Sequence, residues 1–281
     1  MVFKYAMLIE KAIKLLTEFF ICLPSFKGKC RLILFLITSF PKLVIRKQMQ
    51  SYVLDLDTES DDEKIIMLDL LDLEELKLID ILVKDQTLFV DIGANVGIWS
   101  LYACSKGFET MSIEPNTSTF SKLENNVAIN NFDGIIDLYN IALSNKKGKL
   151  FLEPTEQHTN SKIVEKENSS TEIVDANTLD NILSTNLRKV SLIKIDAEGH
   201  EYHILLGCIN VIKSKKPAII IEFNGILLGG IDLKDWNVHQ FLIQLDYKPF
   251  LFSNNRLQEI DETFCSNSFP NIVYVCTQGE C

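Results

Sequence analysis

The chain has 281 residues, of which 47% are hydrophobic and 23% charged, and its formal net charge at pH 7 is −10. This length suits one large α/β domain with an extension, and the acidic balance argues against a nucleic-acid partner, which requires a basic surface. Seven cysteines without a Cys-x-x-Cys pair are typical of free thiols in a reducing cytoplasm, not of a disulfide framework or a zinc site.

The first 50 residues form a basic, apolar segment with nine Lys or Arg and two Glu. Its apolar patches are too short and too interrupted for a membrane-spanning helix, and no cleavable signal sequence is evident. Helical spacing aligns one face: Met7, Leu8, Ala12, Leu15, Leu16 and Phe19. We expect a helical N-terminal extension over residues 1–50. Two interpretations stay open: packing on the core or on a dimer partner, or lying on a membrane surface of an otherwise cytoplasmic protein.

The segment before the core is rich in acidic residues. Val53 to Leu56 alternates like a short strand, and Glu63 to Val83 has the spacing of a helix with an apolar face. We interpret the acidic residues of this segment as the solvent-exposed face of the predicted helix.

Residues 89–97, FVDIGANVG, are the most informative stretch. A hydrophobic run, a glycine turn and a helix-compatible run follow one another, which is typical of a strand that feeds a nucleotide-binding loop. Gly93 and Gly97 allow close approach of the backbone or a positive φ. The spacing from Asp91 differs from the Gly-x-Gly-x-x-Gly of dinucleotide-binding folds, which disfavours a nicotinamide-dependent oxidoreductase.

The next elements continue an α/β pattern. A strand from Thr110 to Ile113 ends at Glu114, a position suited to ribose hydroxyls. An amphipathic helix over Asn116–Asn131 and a strand over Ile135–Ile141 follow. The polar residues 145–175 are predicted to be a loop or hairpin insertion above the sheet, where substrate contacts usually lie.

The second half repeats the pattern. The predicted elements are a short helix over Thr178–Ser184, strands over Val190–Ile195 and Ala218–Phe223, helices over Glu201–Ile212 and Asp232–Leu245, and an antiparallel pair formed by Tyr247–Phe252 and Asn271–Val275. This order predicts a mostly parallel sheet with helices on both faces. Polar residues then meet at the carboxyl edge of the strands, where ligands bind: Asp91, Glu114, Ser144, Asp196 and Glu222.

Five segments in order, VDIGANVG, IEPN, IALSN, IKIDAEGHE and IIIEFN, resemble the FkbM family of class I methyltransferases. The resemblance implies a Rossmann-like class I methyltransferase fold over residues 51–281, with a seven-stranded, mostly parallel sheet that ends in a C-terminal antiparallel hairpin. It also implies S-adenosyl-L-methionine as cofactor and O-methylation of a small-molecule or glycan acceptor, such as a sugar or a secondary metabolite. The implied cofactor residues are Asp91, Gly93, Asn95, Gly97, Glu114 and Ser144.

Catalysis is expected in the segment that follows the strand Val190–Ile195. A hydroxyl acceptor needs a base, and Asp196, Glu198 and His200 are candidates by residue type. No metal is expected, although Asp196, Glu222 and Asn224 would offer three oxygen ligands as an alternative. Two rival hypotheses are a cofactor-binding scaffold without activity and a membrane-peripheral interaction protein.

Overall fold

The computed structural model describes residues 14–16, 19, 33, 44–68, 73–154, 161–164, 166–185, 188–223, 231–266 and 270–277. In chain order the strands are β1 (Val44–Gln48), β2 (Val53–Asp57), β3 (Leu88–Ile92), β4 (Glu109–Ile113), β5 (Ile136–Tyr139), β6 (Ala142–Leu143), β7 (Gly148–Pro154), β8 (Ser161–Val164), β9 (Glu172–Asn177), β10 (Val190–Ile195), β11 (Ala218–Glu222), β12 (Tyr247–Ser253), β13 (Arg256–Glu259) and β14 (Asn271–Cys276). The helices are α1 (Asp61–Met67), α2 (Lys77–Leu82), α3 (Ile98–Ser105), α4 (Thr117–Ile129), α5 (Leu179–Ile182), α6 (Glu201–Leu206), α7 (Ile209–Lys215) and α8 (Asn237–Ile243), with 3-10 turns at Glu74–Leu76 and Leu233–Asp235.

The main sheet has the strand order β13-β12-β14-β11-β10-β3-β4-β5. The five strands from β11 to β5 are parallel, and β14, β12 and β13 run antiparallel to their neighbours. Chain order reverses between β3 and β10, and a crevice opens beyond the carboxyl ends of strands at such a switch point. The predicted Rossmann-like fold is confirmed. The sheet has eight strands in the described residues rather than seven, because a turn at Asn254 and Asn255 (φ 52° and 58°) returns the chain from β12 into β13.

The central strands are buried on both faces, as a parallel sheet covered by helices requires. Every residue of β3 and of β10 is buried. One face packs against α3, α4 and the β1–β2 hairpin, through Leu101, Leu123 and Leu54 among others. The opposite face packs against α5 to α8, through residues such as Leu205 and Leu242. Two apolar layers therefore hold the sheet rigid, and its carboxyl edge stays open.

The prediction of a loop or hairpin over residues 145–175 was only partly right, since β7 and β8 pair antiparallel as a hairpin but belong to a larger element. A second sheet, of order β6-β9-β7-β8, occupies this region. It has its own small core, formed by Ala142, Leu152, Val174 and Ala176. Along the strands, these apolar residues alternate with residues on the outer side, many of which are polar. The many polar residues of this segment make the alternation hard to recognise in the sequence.

Three predicted helices are interrupted in the structure. The helix predicted over Glu201–Ile212 breaks between α6 and α7, where Gly207 lies so close to Ser144 that a Cβ would be 2.0 Å from its carbonyl oxygen. The helix predicted over Glu63–Val83 consists of α1, a 3-10 turn and α2, and residues 69–72 lie outside the described residues. The helix predicted over Asp232–Leu245 becomes a 3-10 turn and α8, because Trp236 is extended (φ −83°, ψ 122°).

The β1–β2 hairpin crosses the boundary expected at residue 50, since β1 before it pairs with β2 after it. Of the extension before β1, only residues 14–16, 19 and 33 are described, all of them helical. Leu15, Leu16 and Phe19 are exposed. Met7, Leu8 and Ala12, on the same predicted face, lie outside the described residues. None of the helices in the described segments combines the length and the apolar character that spanning a membrane requires.

Candidate active site

A cavity of about 580 Å³ opens at the carboxyl ends of β3, β4, β10 and β11. Six of the nine residues predicted for the site line it: Gly93, Asn95, Glu114, Asp196, Glu198 and His200. The other three, Asp91, Gly97 and Ser144, lie behind the lining and support it. Two further walls contain no residue that was named as a site residue from the sequence, although the insertion over residues 145–175 was expected to contact the substrate. One is formed by α1 and the turn at Glu74–Leu76, and the other by Leu152, Ser161 and Ile163 of the second sheet.

The glycine loop between β3 and α3 is fixed by contacts within the protein. Gly93 has φ +78°, and a Cβ there would be 1.9 Å from the carbonyl oxygen of Asp196. Gly97 has φ +98°, and a Cβ there would be 2.6 Å from Leu123 Cδ1 in α4. Gly93 therefore needs glycine for packing as well as for backbone conformation, and Gly97 needs it for backbone conformation. The first contact joins the loop after β3 to the loop after β10.

Asp91 was expected at the end of its strand, but it lies within β3 and is fully buried. Its Oδ2 accepts a hydrogen bond from Ser100 Oγ at 2.5 Å, and its Oδ1 has no hydrogen-bond partner among the described residues. Burial raises the pKa of Asp91, while the charge of Lys194 opposes the rise. Asp91 therefore orders the base of the loop from beneath the cavity.

Glu114 follows β4 and is 7% exposed. Its Oε2 accepts the backbone N–H of Asn95 at 3.0 Å, and its Oε1 accepts the backbone N–H of Asn116 at 2.9 Å. Burial raises its pKa to about 7, against the effect of these two amides. Asn95 has φ 50°, a conformation that Asn tolerates better than most residues. The carboxylate thus links the glycine loop to the N-cap of α4.

His200 and Ser144 meet at the side of the cavity. His200 precedes α6, and its Nε2 lies 3.0 Å from Ser144 Oγ. The His200 ring stacks on His203, with centroids 4.7 Å apart. Burial, and then the charge of His203, lower the pKa of His200 to about 4. The imidazole is therefore neutral at physiological pH and able to accept a proton or a hydrogen bond.

Carboxylates of β3, of β11 and of the loop after β10 surround Lys194. Lys194 Nζ donates to Asp196 Oδ2 at 3.0 Å and lies 5.6 Å from the centroid of the Trp99 ring. Burial disfavours its charge, but Asp196, Asp91 and Glu222 together raise its pKa.

Glu198 and Glu201 have different positions in the turn after β10. Glu198 lines the cavity and has φ 50°. Glu201 is buried, and its Oε1 accepts the backbone N–H groups of Gly199 at 2.9 Å and Ala197 at 3.3 Å. Glu201 is therefore the carboxylate that closes this turn, and Glu198 is left facing the cavity.

No cluster of three or more His, Cys, Asp or Glu suited to a metal ion occurs in the described segments. Asn224, the third ligand of the alternative metal site, lies outside the described residues.

The family profile described as "Methyltransferase FkbM domain" matches residues 91–264, more than half of the chain. The chain is 27% identical over 147 residues to the hexuronic acid methyltransferase AglP of Haloferax volcanii, an alignment that covers 52% of this chain and 57% of that protein. It is 25% identical over 147 residues to methyltransferase 1 of Beauveria bassiana, covering 44% of this chain and 59% of that protein. The chain thus spans less than two thirds of the length of either relative.

Among solved structures, the methyltransferase FkbM from Methylobacillus flagellatus KT is similar, with a TM-score of 0.45 and 18% identity over 75% of this chain and 52% of that chain. The human methyltransferase 10 domain containing protein gives a TM-score of 0.45 and 13% identity over 74% of this chain and 82% of that chain. On the family profile, which includes the glycine loop, Glu114 and the 196–201 turn, the chain belongs to the FkbM methyltransferase domain family.

Proposed function

We propose that the protein is an S-adenosyl-L-methionine-dependent methyltransferase that methylates a hydroxyl oxygen. The observation that carries the proposal is the meeting of the glycine loop, Glu114 and the Asp196–His200 turn around one cavity at the carboxyl edge of the sheet. The acceptor is proposed to be a small molecule or glycan, such as a sugar or a secondary metabolite. AglP is named as a methyltransferase of a hexuronic acid, which supports the sugar class.

The residues around the cavity fit the cofactor by their charge and their free hydrogen-bonding capacity. Glu114, Asp196, Glu198 and Glu222 give the cavity an acidic lining, which favours a cationic ligand. Each oxygen of Glu114 accepts one backbone amide, so each retains a lone pair for a ribose hydroxyl. The volume of the cavity lies within the range of ligand pockets. Glu114 would hold the ribose, and Gly93 to Asn95 the amino-acid portion.

When bound, S-adenosyl-L-methionine supplies a methyl group activated by a positively charged sulfur. The residues of the chain must hold the acceptor hydroxyl in line and remove its proton as the oxygen–carbon bond forms and the sulfur–carbon bond breaks. Asp196, whose side chain is 37% exposed, or neutral His200 takes this proton. Ser144 positions the His200 ring through its 3.0 Å contact, and Glu198 faces the acceptor.

Isothermal titration of the purified protein with S-adenosyl-L-methionine and, separately, with NAD⁺ tests the cofactor assignment. We expect binding of the first ligand only, and a loss of affinity of about tenfold or more in Glu114→Gln. Glu109→Gln is a matched control, since Glu109 lies at the opposite end of β4, where its exposed carboxylate pairs with Arg188. A folded protein that does not bind S-adenosyl-L-methionine would contradict the proposal.

For the extension, the sequence pattern and the exposure of Leu15, Leu16 and Phe19 support a contact with a membrane surface or with a second copy of the chain. A cytoplasmic location is proposed on the free thiols of Cys104, Cys208, Cys265 and Cys276. Liposome flotation and sedimentation of the full chain and of a variant lacking residues 1–43 test the two contacts. Activity retained by the shortened variant, with loss of flotation or of dimers, supports a catalytic domain made of β1 and residues 51–281.

A further inference from the structure

We propose that Asp196 takes the proton of the acceptor hydroxyl, and that Lys194 is the positioning residue that orients the Asp196 carboxylate for this step. The inference rests on the proposed methyl transfer and decides between Asp196 and His200 as the proton acceptor. Both of these residues line the cavity, and Lys194 Nζ donates to Asp196 Oδ2 at 3.0 Å.

The backbone of Asp196 is fixed to the loop that is proposed to hold the amino-acid portion of the cofactor. The Asp196 N–H donates to the carbonyl oxygen of Ile92 at 3.0 Å. The Asp196 carbonyl oxygen lies so close to Gly93 that a Cβ there would be 1.9 Å away. Because the reactive sulfur is part of that amino-acid portion, Asp196 has a fixed place beside the methyl donor.

His200 is held by a different part of the protein. Its Nε2 lies 3.0 Å from Ser144 Oγ, and the Ser144 N–H donates to the carbonyl oxygen of Asn177 at 2.9 Å. Ser144 follows β6 and Asn177 ends β9, and both strands belong to the second sheet. The ring nitrogen is therefore engaged with the second sheet, whereas the backbone of Asp196 is engaged with the glycine loop. A base must lie within hydrogen-bond reach of the proton that it removes, which favours Asp196.

Lys194 is anchored on the face of the main sheet that carries α3. It is in register with Asp91 of the neighbouring strand β3, so the two side chains share a face. Ser100 of α3 donates to Asp91, and the ring centroid of Trp99 in α3 lies 5.6 Å from Lys194 Nζ. From this anchored position the ammonium group reaches Asp196, two residues further along the chain.

The bond between Lys194 and Asp196 is a charge-assisted hydrogen bond. Burial opposes the charge of Lys194, but the carboxylates of Asp196, Asp91 and Glu222 raise its pKa, so it donates as an ammonium group. Such bonds are stronger than those between neutral groups, and this one fixes the orientation of the carboxylate. It occupies Oδ2, so the acceptor hydroxyl can donate to Oδ1. The Asp196 side chain is 37% exposed, which gives the acceptor access to it.

The transfer step balances in atoms and in charge with these residues. The acceptor oxygen forms a bond to the methyl carbon, the sulfur–carbon bond breaks with its electron pair left on sulfur, and Asp196 Oδ1 receives the hydroxyl proton. The carboxylate loses its negative charge in the step in which the sulfur loses its positive charge. Lys194 stays in register with Asp91, so the buried ammonium group keeps a carboxyl neighbour when Asp196 is neutral.

The test of the base uses the full chain, S-adenosyl-L-methionine with a tritiated methyl group, and a metabolite and glycan extract of the source cells. Transfer of label is measured at a cofactor concentration that saturates each variant. We expect Asp196→Asn to lower transfer at least about 100-fold, and His200→Gln to have an effect at least about tenfold smaller. A loss in His200→Gln that equals or exceeds the loss in Asp196→Asn would overturn the assignment.

The role of Lys194 is tested in two backgrounds. Lys194→Met removes the charge, keeps a similar length and should lower transfer at least about tenfold in the otherwise wild-type chain. In the Asp196→Asn background it should lower transfer by less than about twofold, because a positioning residue acts only through the group that it orients. Lys248→Met is the matched control, since Lys248 forms an exposed pair with Glu259 at 2.8 Å. The same loss in both backgrounds would show a merely structural role and overturn the inference.

Lys194→Arg replaces the methionine variant if that variant does not fold, because it retains the buried positive charge. Its guanidinium group has a different length and geometry, so transfer should fall at least about fivefold in the otherwise wild-type chain and by less than about twofold in Asp196→Asn. Equal losses in the two backgrounds would again contradict the positioning role. Cofactor binding by the wild type without transfer to any fraction of the extract would instead contradict the proposed function.

Discussion

Gly93 has a role that no other residue type could take. It combines a φ of +78° with a backbone approach to Asp196 that leaves 1.9 Å for a Cβ. Asp196 begins the proposed catalytic turn, so the position of this turn depends on the glycine loop as directly as on β10. A side chain at residue 93 would push the two halves of the cavity apart.

We therefore expect Gly93→Ala to lower the free energy of unfolding by at least about 3 kcal/mol and to abolish cofactor binding. Gly107→Ala is a matched control, because Gly107 has φ +84° with nothing within 4 Å of a Cβ. Its cost should be the backbone strain alone, about 1 kcal/mol. Urea denaturation and titration calorimetry measure both effects. Equal destabilisation by the two substitutions would show that the contact with Asp196 is not limiting.

The pKa of Glu114, raised by burial to about 7, predicts a pH dependence of cofactor binding. Only the ionised carboxylate can use all its lone pairs to accept from both backbone amides and from ribose hydroxyls. Affinity for S-adenosyl-L-methionine should therefore rise between pH 6 and pH 8 and then level off. Calorimetry across this range measures the rise, and Glu114→Gln should flatten it. An affinity that is constant from pH 6 to pH 8 in the wild type would rule out this role.

Six of the nine site residues predicted from the sequence line one cavity, because strand ends and glycine turns are local features. Asp91 was misplaced by one position, since β3 continues to Ile92 and a buried acid resembles a strand terminator in sequence. Ser144 contacts His200 rather than the cavity, a relation between residues 56 positions apart that no local pattern contains. The assignment of roles to these residues remains a prediction.

At the scale of elements, Asn126 of α4 and Asn130, the residue that caps the C-terminus of α4, bind the backbone of β2 as a neighbouring strand would. Asn126 Oδ1 accepts the Asp55 backbone N–H at 2.8 Å, and Asn126 Nδ2 donates to the Val96 carbonyl at 3.0 Å. Asn130 accepts from the Val53 N–H and donates to the Val53 carbonyl, both at 2.8 Å. The hairpin that helps to hold α1 over the cavity is thus coupled to the glycine loop.

Replacing Asn126 by alanine should cost about 2–3 kcal/mol of stability, because a buried N–H and a buried carbonyl lose their partners. Cofactor affinity should fall with it, since Val96 belongs to the glycine loop. Asn125→Ala, one position earlier on the exposed side of α4, should cost less than about 0.5 kcal/mol. Urea denaturation and hydrogen exchange at Asp55 measure the difference. Normal protection of the Asp55 amide in Asn126→Ala would contradict the coupling.

Elements defined by continuous apolar runs were predictable, and elements defined by distant partners were not. The strand predicted over Ala218–Phe223 is an example, since β11 begins at Ala218 and its three isoleucines are buried. The second sheet escaped prediction because only a few of its residues, such as Leu152 and Val174, form its core. The break at Gly207 depends on the approach of Ser144 from another element. The helical spacing of apolar residues continues across Gly207, so the sequence does not reveal the break.

At the scale of the whole molecule, five buried or partly buried carboxyl groups have their pKa raised chiefly by burial: Glu63, Asp91, Glu114, Glu201 and Glu222. Above their ordinary pKa the folded state retains protons that the unfolded chain has lost. The linkage relation then makes stability fall as pH rises through the folded-state values. The growing net negative charge acts in the same direction.

We expect the melting temperature to be higher at pH 6 than at pH 8.5 at constant ionic strength, and saturating S-adenosyl-L-methionine to reduce the difference. Below about pH 4 stability should fall again, because the hydrogen bond from Arg46 lowers the pKa of Asp55 and this contact is lost on protonation. Calorimetric melting across this range measures both limbs. A melting temperature that rises from pH 6 to pH 8.5 would contradict the conclusion that ionisation of these buried carboxyl groups destabilises the folded state.

The contact between Gly93 and Asp196 has a consequence for the synthesis of the protein. About 100 residues of chain separate the two, and at ~5–20 residues per second a ribosome takes roughly 5–20 s to make them. During this interval β3 has β4 beside it but lacks β10, so one edge of a strand that is buried throughout in the folded protein has no neighbour. The nascent chain should therefore depend on chaperones until β10 emerges.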